Sequence, residues 1–398
     1  MSPMNQDPDR KAVTAALAGM AALVVAMGIG RFAFTPLLPL MQAETGLSLA
    51  GGGWLAGANY LGYLVGALAA TRIRAAPAGM LASGLVAVVL TTAAMAPTQG
   101  FAVWMTVRFA AGVASAWALV GAASLCLGRL REAGRPRLAG VMFSGVGLGI
   151  VLAGLACQAV VFAGGGAVAG WWVLAALAAV LAVPAVRGLS RGSGSPATQD
   201  MRPAAQGFDA RDARRLVWSY GLLGFGYILP ATFLPAQARV LVSDPAVFGW
   251  VWPVFGAAAA ASMWIAVGPR RGGVSRRMRW AVSQAVMAVG VALPVVHDSL
   301  AALVVSALCV GGTFLVVTML ALQEGAAVGG ERAQRLIAAM TAAFASGQLL
   351  GPLVAAGLEL GGQGMAPALM LASAALAVGA VLPVMGRRDA MHATEESR

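Results

Sequence analysis

The chain has 398 residues, of which 59% are hydrophobic and only 11% are charged. Soluble domains are about 45–50% apolar and about 25% charged. The apolar stretches also run well past the ~20 residues that cross a bilayer, and they recur along the whole chain. The composition therefore excludes a soluble enzyme and indicates a polytopic α-helical membrane protein. A transmembrane β-barrel is excluded as well, because it would need short alternating segments.

The positive charge is distributed in a way that does not indicate a nucleic-acid partner. The formal net charge is +12, but the 27 Lys and Arg residues fall in short clusters between apolar stretches. The three cysteines, Cys126, Cys157 and Cys309, lie within apolar stretches without paired spacing. We therefore expect no nucleic acid, metal, cofactor or catalytic residue, and we expect membrane lipid to contact the basic loops.

Apolar windows of about 19 residues predict twelve transmembrane helices. In chain order they lie near 14–40, 53–70, 78–96, 101–127, 139–163, 169–186, 216–237, 247–267, 280–296, 300–322, 336–358 and 366–385. The polar segment from Arg187 to Arg214 is rich in Ser, Gly, Pro and Asp, and predicts a flexible linker. The predicted fold class is thus an all-α membrane protein with a six-helix N-terminal half (1–187), a cytoplasmic linker (188–213) and a six-helix C-terminal half with its tail (214–398).

The distribution of Lys and Arg predicts the orientation in the membrane. All but three of the 27 fall on one side of the predicted spans; Arg239 lies on the other side, and Arg31 and Arg108 lie within helices. Since cytoplasmic loops carry the excess of Lys and Arg, both termini and the linker are predicted to be cytoplasmic. We expect a monomeric, multi-pass protein in a bacterial cytoplasmic (inner) membrane.

The two halves share an internal repeat. At a shift of 196 residues, Gly28, Gly30, Pro39, Gly53 and Trp54 match Gly224, Gly226, Pro235, Gly249 and Trp250. At a slightly larger shift, Ser144, Gly145 and Gly149 match Ser346, Gly347 and Gly351. Two six-helix halves of parallel topology place a binding site at their interface near the bilayer midplane.

Several motifs carry a family resemblance that covers nearly the whole chain. The first helix contains GIGRFAFTPLLPLM and the second GGGWLAGANYLGYLVGAL, while the fourth contains RFAAGVASA. The seventh contains GFGYILPATFLP, the tenth GGTFLVVTML and the eleventh SGQLLGP. Together they resemble a bacterial major facilitator superfamily transporter of the YbfB/YjiJ-type branch. The resemblance implies twelve helices in two pseudo-repeats, alternating access and transport of a small solute.

The sequence departs from the wider superfamily at two motifs. The loop after the second helix usually resembles Gly-x-x-x-Asp-Arg-x-Gly-Arg, but here it contains no Asp between Gly66 and Arg74. The Gly-Pro pair often seen in the fifth helix of antiporters is found in the eleventh, as Gly351-Pro352. These departures weaken the assignment as a drug antiporter.

Arg31 and Arg108 are the candidate charged residues of a substrate site. Charges within a span are costly and usually face a cavity. Both residues are predicted at a similar depth, about 10–14 Å below the external surface of the membrane at ~1.5 Å per residue. Either guanidinium could bind a carboxylate with both arms of its fork. The alternative is that they bond backbone carbonyls of the first helix and serve the architecture.

Uncharged polar residues complete the predicted cavity. The candidates for substrate contact are Asn59, Tyr60, Tyr63, Tyr220, Tyr227, Thr232 and Gln348. Tyr227 occupies the repeat position of Arg31, so the cationic character is confined to the first half. Gly145, Gly149, Gly347, Gly351 and Pro352 are candidates for close helix packing and gating.

The fifteen acids can all be placed outside the deep membrane, with only Glu324 and Glu359 near helix ends. Proton relays commonly use intramembrane Asp, Glu or His, and none is visible. The sequence favours a secondary active or facilitative transporter of a small anionic or zwitterionic organic solute. Two alternatives stay open: an exporter of drugs and lipophilic compounds, and a sensor or scaffold that keeps the transporter fold without transporting.

Overall fold

The computed structural model describes residues 8–72, 75–190, 209–242, 244–267 and 273–395, and these residues form helices and turns without a strand. The helices of the first half are α1 (Pro8–Leu23), α2 (Phe34–Thr45), α3 (Leu49–Arg72), α4 (Pro77–Ala94), α5 (Phe101–Glu132), α6 (Ala139–Phe162) and α7 (Ala167–Ser190). Those of the second half are α8 (Ala210–Leu241), α9 (Pro245–Phe248), α10 (Val251–Val267), α11 (Arg276–Val296), α12 (Leu300–Gly329), α13 (Ala333–Leu360) and α14 (Ala366–Glu395).

Within the described residues, 11 helical stretches are long and apolar enough to cross a membrane, and α1 and α2 form one of them. The predicted second span is the helix α3, whose many glycines, with Asn59, Tyr60 and Tyr63, lower its hydropathy. The predicted twelve-helix fold class is therefore confirmed. Helix ends extend beyond the predicted apolar windows, because charged residues continue the helix outside the bilayer. Both ends of the predicted linker, at Ser190 and Ala210, are helical, and its interior lies outside the described residues.

The first span is interrupted near its middle. A π-helical segment, Val24–Ile29, follows α1, and a turn over residues 30–33 separates it from α2. Amides in this region bond five residues back, from Gly30 N to Val25 O at 2.9 Å and from Phe32 N to Met27 O at 3.0 Å. The interruption releases backbone carbonyls that must find other partners inside the membrane.

The repeat predicted from the sequence relates the two halves as a pseudo-two-fold pair. Thr35 donates a hydrogen bond of 2.8 Å to the carbonyl of Ala231, which is its own repeat mate 196 residues further on. That carbonyl is available because Pro235, four residues later, has no N–H to bond it within α8. The two repeats therefore meet at equivalent positions of α2 and α8.

Glycines allow the helices within each half to touch backbone to backbone. A Cβ added to Gly149 would lie 2.7 Å from the Cα of Gly28, and a Cβ on Gly145 would collide with the backbone of Met20. In the second half, Gly347 lies against the backbone of Gly221. The repeated glycines thus bring α6 against the first span and α13 against α8. Gly351 in turn lies against the side chain of Ile228, and the carbonyl of Pro352 lies against Gly53 of α3.

The halves are joined near one end of the helices. The connections 46–48, 95–100, 163–166, 297–299 and 361–365 contain no Lys or Arg, and we call this end the arginine-poor end and the opposite one the basic end. Close to the arginine-poor end, Arg239 donates to the carbonyl of Pro39 at 2.8 Å and Gln158 to that of Ala246 at 3.2 Å. These bonds, with the Thr35–Ala231 bond, hold the halves together on that side of the membrane.

Candidate functional site

Arg31 lies in the turn that interrupts the first span, and only 2% of its surface is exposed. Its guanidinium carbon is 4.7 Å from the ring centre of Tyr60, 4.6 Å from that of Tyr63 and 5.6 Å from that of Phe32. Its Nε and Nη2 atoms are buried and have no hydrogen-bond partner. These two nitrogens share one edge of the planar group, so together they form one complete fork for a carboxylate.

Arg108 has a different role from Arg31. Its Nη2 donates to the carbonyl of Arg31 at 3.2 Å, and its guanidinium carbon lies 4.8 Å from the ring centre of Phe34. Asn59 donates from Nδ2 to the carbonyls of Gly30, at 3.3 Å, and of Arg108, at 3.0 Å. The two side chains therefore satisfy carbonyls released by the interruption of the first span. For Arg108 this is the backbone contact that the sequence left as an alternative to substrate binding.

Buried polar atoms without a partner are concentrated around this turn. Besides the two nitrogens of Arg31, they include Nε of Arg108, Oδ1 of Asn59 and Oγ of Ser115. Ser115 is adjacent, because its Oγ would lie 2.5 Å from a Cβ added to Gly30. Buried polar groups in native proteins nearly always have partners, so such a concentration requires an explanation.

Tyr227 holds in the second half the repeat position that Arg31 holds in the first. The Tyr227 ring stacks between those of Phe314, at 5.3 Å, and Phe344, at 5.6 Å. Gln348 donates its amide N–H to the Tyr227 hydroxyl. The O–H proton of Tyr227 has no acceptor among the described residues, so it is available to a ligand.

The chain's four tyrosines converge here from both halves. Tyr60 of α3 lies 2.9 Å from the hydroxyl of Thr232 in α8, and Thr232 in turn donates to its own helix at Ile228, 2.7 Å away. Tyr63, which is half-buried, covers the guanidinium of Arg31, and Tyr220 stacks on Phe344 at 4.6 Å. Tyr60 and Tyr63 therefore contact Arg31, Thr232 contacts Tyr60 across the interface, and Gln348 contacts Tyr227 within the second half.

Four aromatic residues that were not candidates from the sequence form, together with Tyr227, a row of rings that begins beside Arg31. Ring centres are 6.3 Å apart for Phe32 and Trp252, 5.0 Å for Trp252 and Phe255, and 5.6 Å for Phe255 and Phe314. The row continues from Phe314 to Tyr227. We call these five rings the aromatic row. Phe and Trp are common in any helical core, so no sequence signal marks them.

Carboxylates lie apart from this site. The buried acids of the described residues are Asp212 and Glu324, and both bind Arg277, each at 2.6 Å. Arg276 adds a contact of 3.0 Å to Glu324. The sequence assigned Asp212 to the linker, which the structure corrects: it belongs to α8, because that helix begins before its apolar window. Within the described part of the chain, no ion pair neutralises Arg31 or Arg108, and no cluster of metal-ligand type occurs.

Twelve helices in two pseudo-symmetric halves, with polar residues of both halves around a buried site, define a transporter of the major facilitator class. The sequence matches the family described as "Uncharacterised MFS-type transporter YbfB" over residues 23–384, and the chain belongs to that family. Among curated proteins, none matches the chain.

Two solved structures share the fold. One is a mutant of the nucleoside transporter NupG, with a TM-score of 0.67 at 15% identity, covering 93% of this chain and 98% of the other. The second is the human organic anion transporter MFSD10, with a TM-score of 0.65 at 16% identity, covering 95% of this chain and all of the other. At these identities the similarity shows the fold alone.

Proposed function

We propose that the protein transports a small organic anion across a bacterial cytoplasmic membrane, and that Arg31 binds the anionic group. The observation that carries this proposal is the buried edge of the Arg31 guanidinium, whose Nε and Nη2 atoms have no partner among the described residues. A charge held inside a membrane protein without a partner is costly, and an anion that fills the fork removes that cost. The available O–H of Tyr227 supplies a further donor from the opposite half.

The sign of the charge separates this proposal from the drug-exporter alternative. The guanidinium of Arg108 bonds the backbone carbonyl of Arg31, so two positive residues belong to one site, without a neutralising acid among the described residues. A lipophilic cation would be repelled from this site, whereas an anion is attracted. A neutral nucleoside, the solute named for NupG, would leave both arms of the Arg31 fork without an ionic partner.

The contacts between the halves support an alternating-access cycle. The bonds Thr35–Ala231 and Arg239–Pro39 hold the arginine-poor end closed. If the basic end is cytoplasmic, as the distribution of Lys and Arg predicts, this conformation is closed to the outside. Binding between the halves would then couple the anion to their rocking motion.

Transport assays in reconstituted vesicles test the proposal. Arg31→Gln is expected to abolish uptake of organic anions, and Arg31→Lys to restore only part of it, because a point charge cannot reproduce the fork. Arg276→Gln is the matched control: it also removes one positive charge, but Arg277 still binds Glu324, so uptake should persist. Unchanged uptake by Arg31→Gln would refute the proposal, and no movement of any solute would favour a sensor or scaffold.

A further inference from the structure

We infer that the transported anion is an aromatic monocarboxylate, whose carboxylate binds the Nε and Nη2 atoms of Arg31 and whose ring stacks against the aromatic row. This inference rests on the proposed function and narrows its substrate class. It depends on three features of the site: the number of available forks, the absence of a carboxylate for an ammonium group among the described residues, and the rings that begin beside the guanidinium.

The number of available forks favours a single negative charge. Arg31 offers one complete edge, since Nε and Nη2 are both without a partner. Arg108 also has an Nε without a partner, but one N–H of its Nη2 already donates to the carbonyl of Arg31. A second carboxylate on this edge of Arg108 would therefore have to share Nη2 with that carbonyl. A dicarboxylate would bury its second charge at an edge that is less available than that of Arg31.

An amino acid is disfavoured by the same site. Its ammonium group would need a carboxylate or several carbonyl acceptors. The buried acids of the described residues, Asp212 and Glu324, are bound to Arg277 near the basic end of the second half. The carbonyls of Gly30 and Arg31 already accept one bond each, from Asn59 and Arg108, and the remaining acceptors, Oδ1 of Asn59 and Oγ of Ser115, carry no negative charge.

The aromatic row favours a planar ring as the body of the substrate. It starts at Phe32, whose ring lies 5.6 Å from the Arg31 guanidinium, and crosses from the first half to the second at Trp252. Trp252 and Phe255 are fully buried, and Phe314 and Tyr227 nearly so. Since the Phe32 ring lies beside the guanidinium, a carboxylate in the fork would place its attached group near the start of the row. Aromatic pairs gain stability beyond the area that they bury, which predicts about 2- to 10-fold tighter binding of an aromatic ring than of a saturated one.

Matched pairs of small carboxylates provide the test. The purified full-length protein is titrated with benzoate against cyclohexanecarboxylate, and with phenylacetate against cyclohexylacetate, and dissociation constants are taken from ligand-dependent thermal shifts. The aromatic member should bind about 2- to 10-fold more tightly in each pair. Phthalate, phenylalanine and uridine should bind more weakly than benzoate.

Two variants separate the contributions of charge and ring. Arg31→Gln should abolish binding of every carboxylate, whereas Phe314→Leu should lower the affinity for benzoate and leave that for cyclohexanecarboxylate nearly unchanged. Trp252→Leu provides a second variant of the row if Phe314→Leu does not fold.

The affinities of the unmodified protein are sufficient to decide whether the substrate is an aromatic monocarboxylate. Equal affinity within both matched pairs overturns the aromatic inference but leaves the organic-anion function standing. Binding of uridine without binding of any carboxylate overturns both. Tighter binding of phthalate or phenylalanine than of benzoate overturns the assignment to a monocarboxylate.

Discussion

Replacing Arg31 by Met should make the empty protein more stable while abolishing transport. The change removes two buried N–H groups without partners, and each such group costs about 1–3 kcal/mol. It also removes three cation–π contacts, with Phe32, Tyr60 and Tyr63, each worth about 0.5–2 kcal/mol. The charge itself is costly inside the membrane, so we expect a net gain of about 1–3 kcal/mol. Met fits because its unbranched side chain adapts to irregular space.

The measurement is thermal unfolding of the detergent-purified protein without substrate, in parallel with Arg108→Met. Arg108→Met should leave the protein about 1–3 kcal/mol less stable than Arg31→Met does, because it removes one N–H without a partner instead of two and deprives the carbonyl of Arg31 of its donor. The two substitutions remove the same charge from neighbouring positions, so the difference between them distinguishes a binding residue from a supporting one. If Arg31→Met leaves the protein no more stable than Arg108→Met does, the Arg31 fork has a structural role and the argument for substrate binding fails.

Three further predictions test the topology, the charge of the site and the helix packing. A reporter fused after Ser193 or at the C-terminus should indicate the cytoplasm, and one after Ala163 the periplasm; a periplasmic signal from the first fusion would contradict the twelve-span topology. Binding of a fixed-charge aromatic sulfonate should be nearly independent of pH between about 5 and 8, because guanidinium groups keep their charge in that range; a strong dependence in a binding titration would reveal a titrating group that we have not assigned. Gly149→Val should prevent folding, as judged by size-exclusion chromatography, because even a Cβ would overlap Gly28, while Gly312→Ala, with open space around it, should fold normally.

The sequence predicts the architecture well because the helices and the contacts between them each have a direct signal in the sequence. Apolar windows mark the helices, and repeated glycines mark the places where backbones touch, as at Gly145 and Gly347. The repeat also shows that Tyr227 stands at the position of Arg31 in the second half, so the positive charge is confined to the first half. Charge placement alone identifies Arg31 and Arg108 as the residues whose burial needs an explanation.

The different contacts of Arg31 and Arg108 could not be predicted in the same way. Whether Arg108 bonds a substrate or a carbonyl depends on where the first span is interrupted, and the π-helical segment has no reliable sequence signal. The Phe and Trp residues of the aromatic row could not be predicted, because a Phe or Trp beside a cavity has the same sequence pattern as one in a core. Asp212 was assigned to the linker because hydropathy marks where a helix enters the bilayer, not where it begins.

The asymmetry between the halves explains how a symmetric scaffold can bind an anion at one place. The first span is interrupted before Arg31, and the carbonyls that this releases are bonded by Asn59 and Arg108. Its repeat mate α8 stays a continuous helix from Ala210 to Leu241, so Tyr227 projects from regular backbone. The charge that selects the solute therefore belongs to the first half, whereas four of the five rings of the aromatic row and the Tyr227 hydroxyl belong to the second. If the anion completes the contact between them, it should favour the closed arrangement of the halves over the open one, which is the differential affinity that a ligand needs in order to shift a conformational equilibrium.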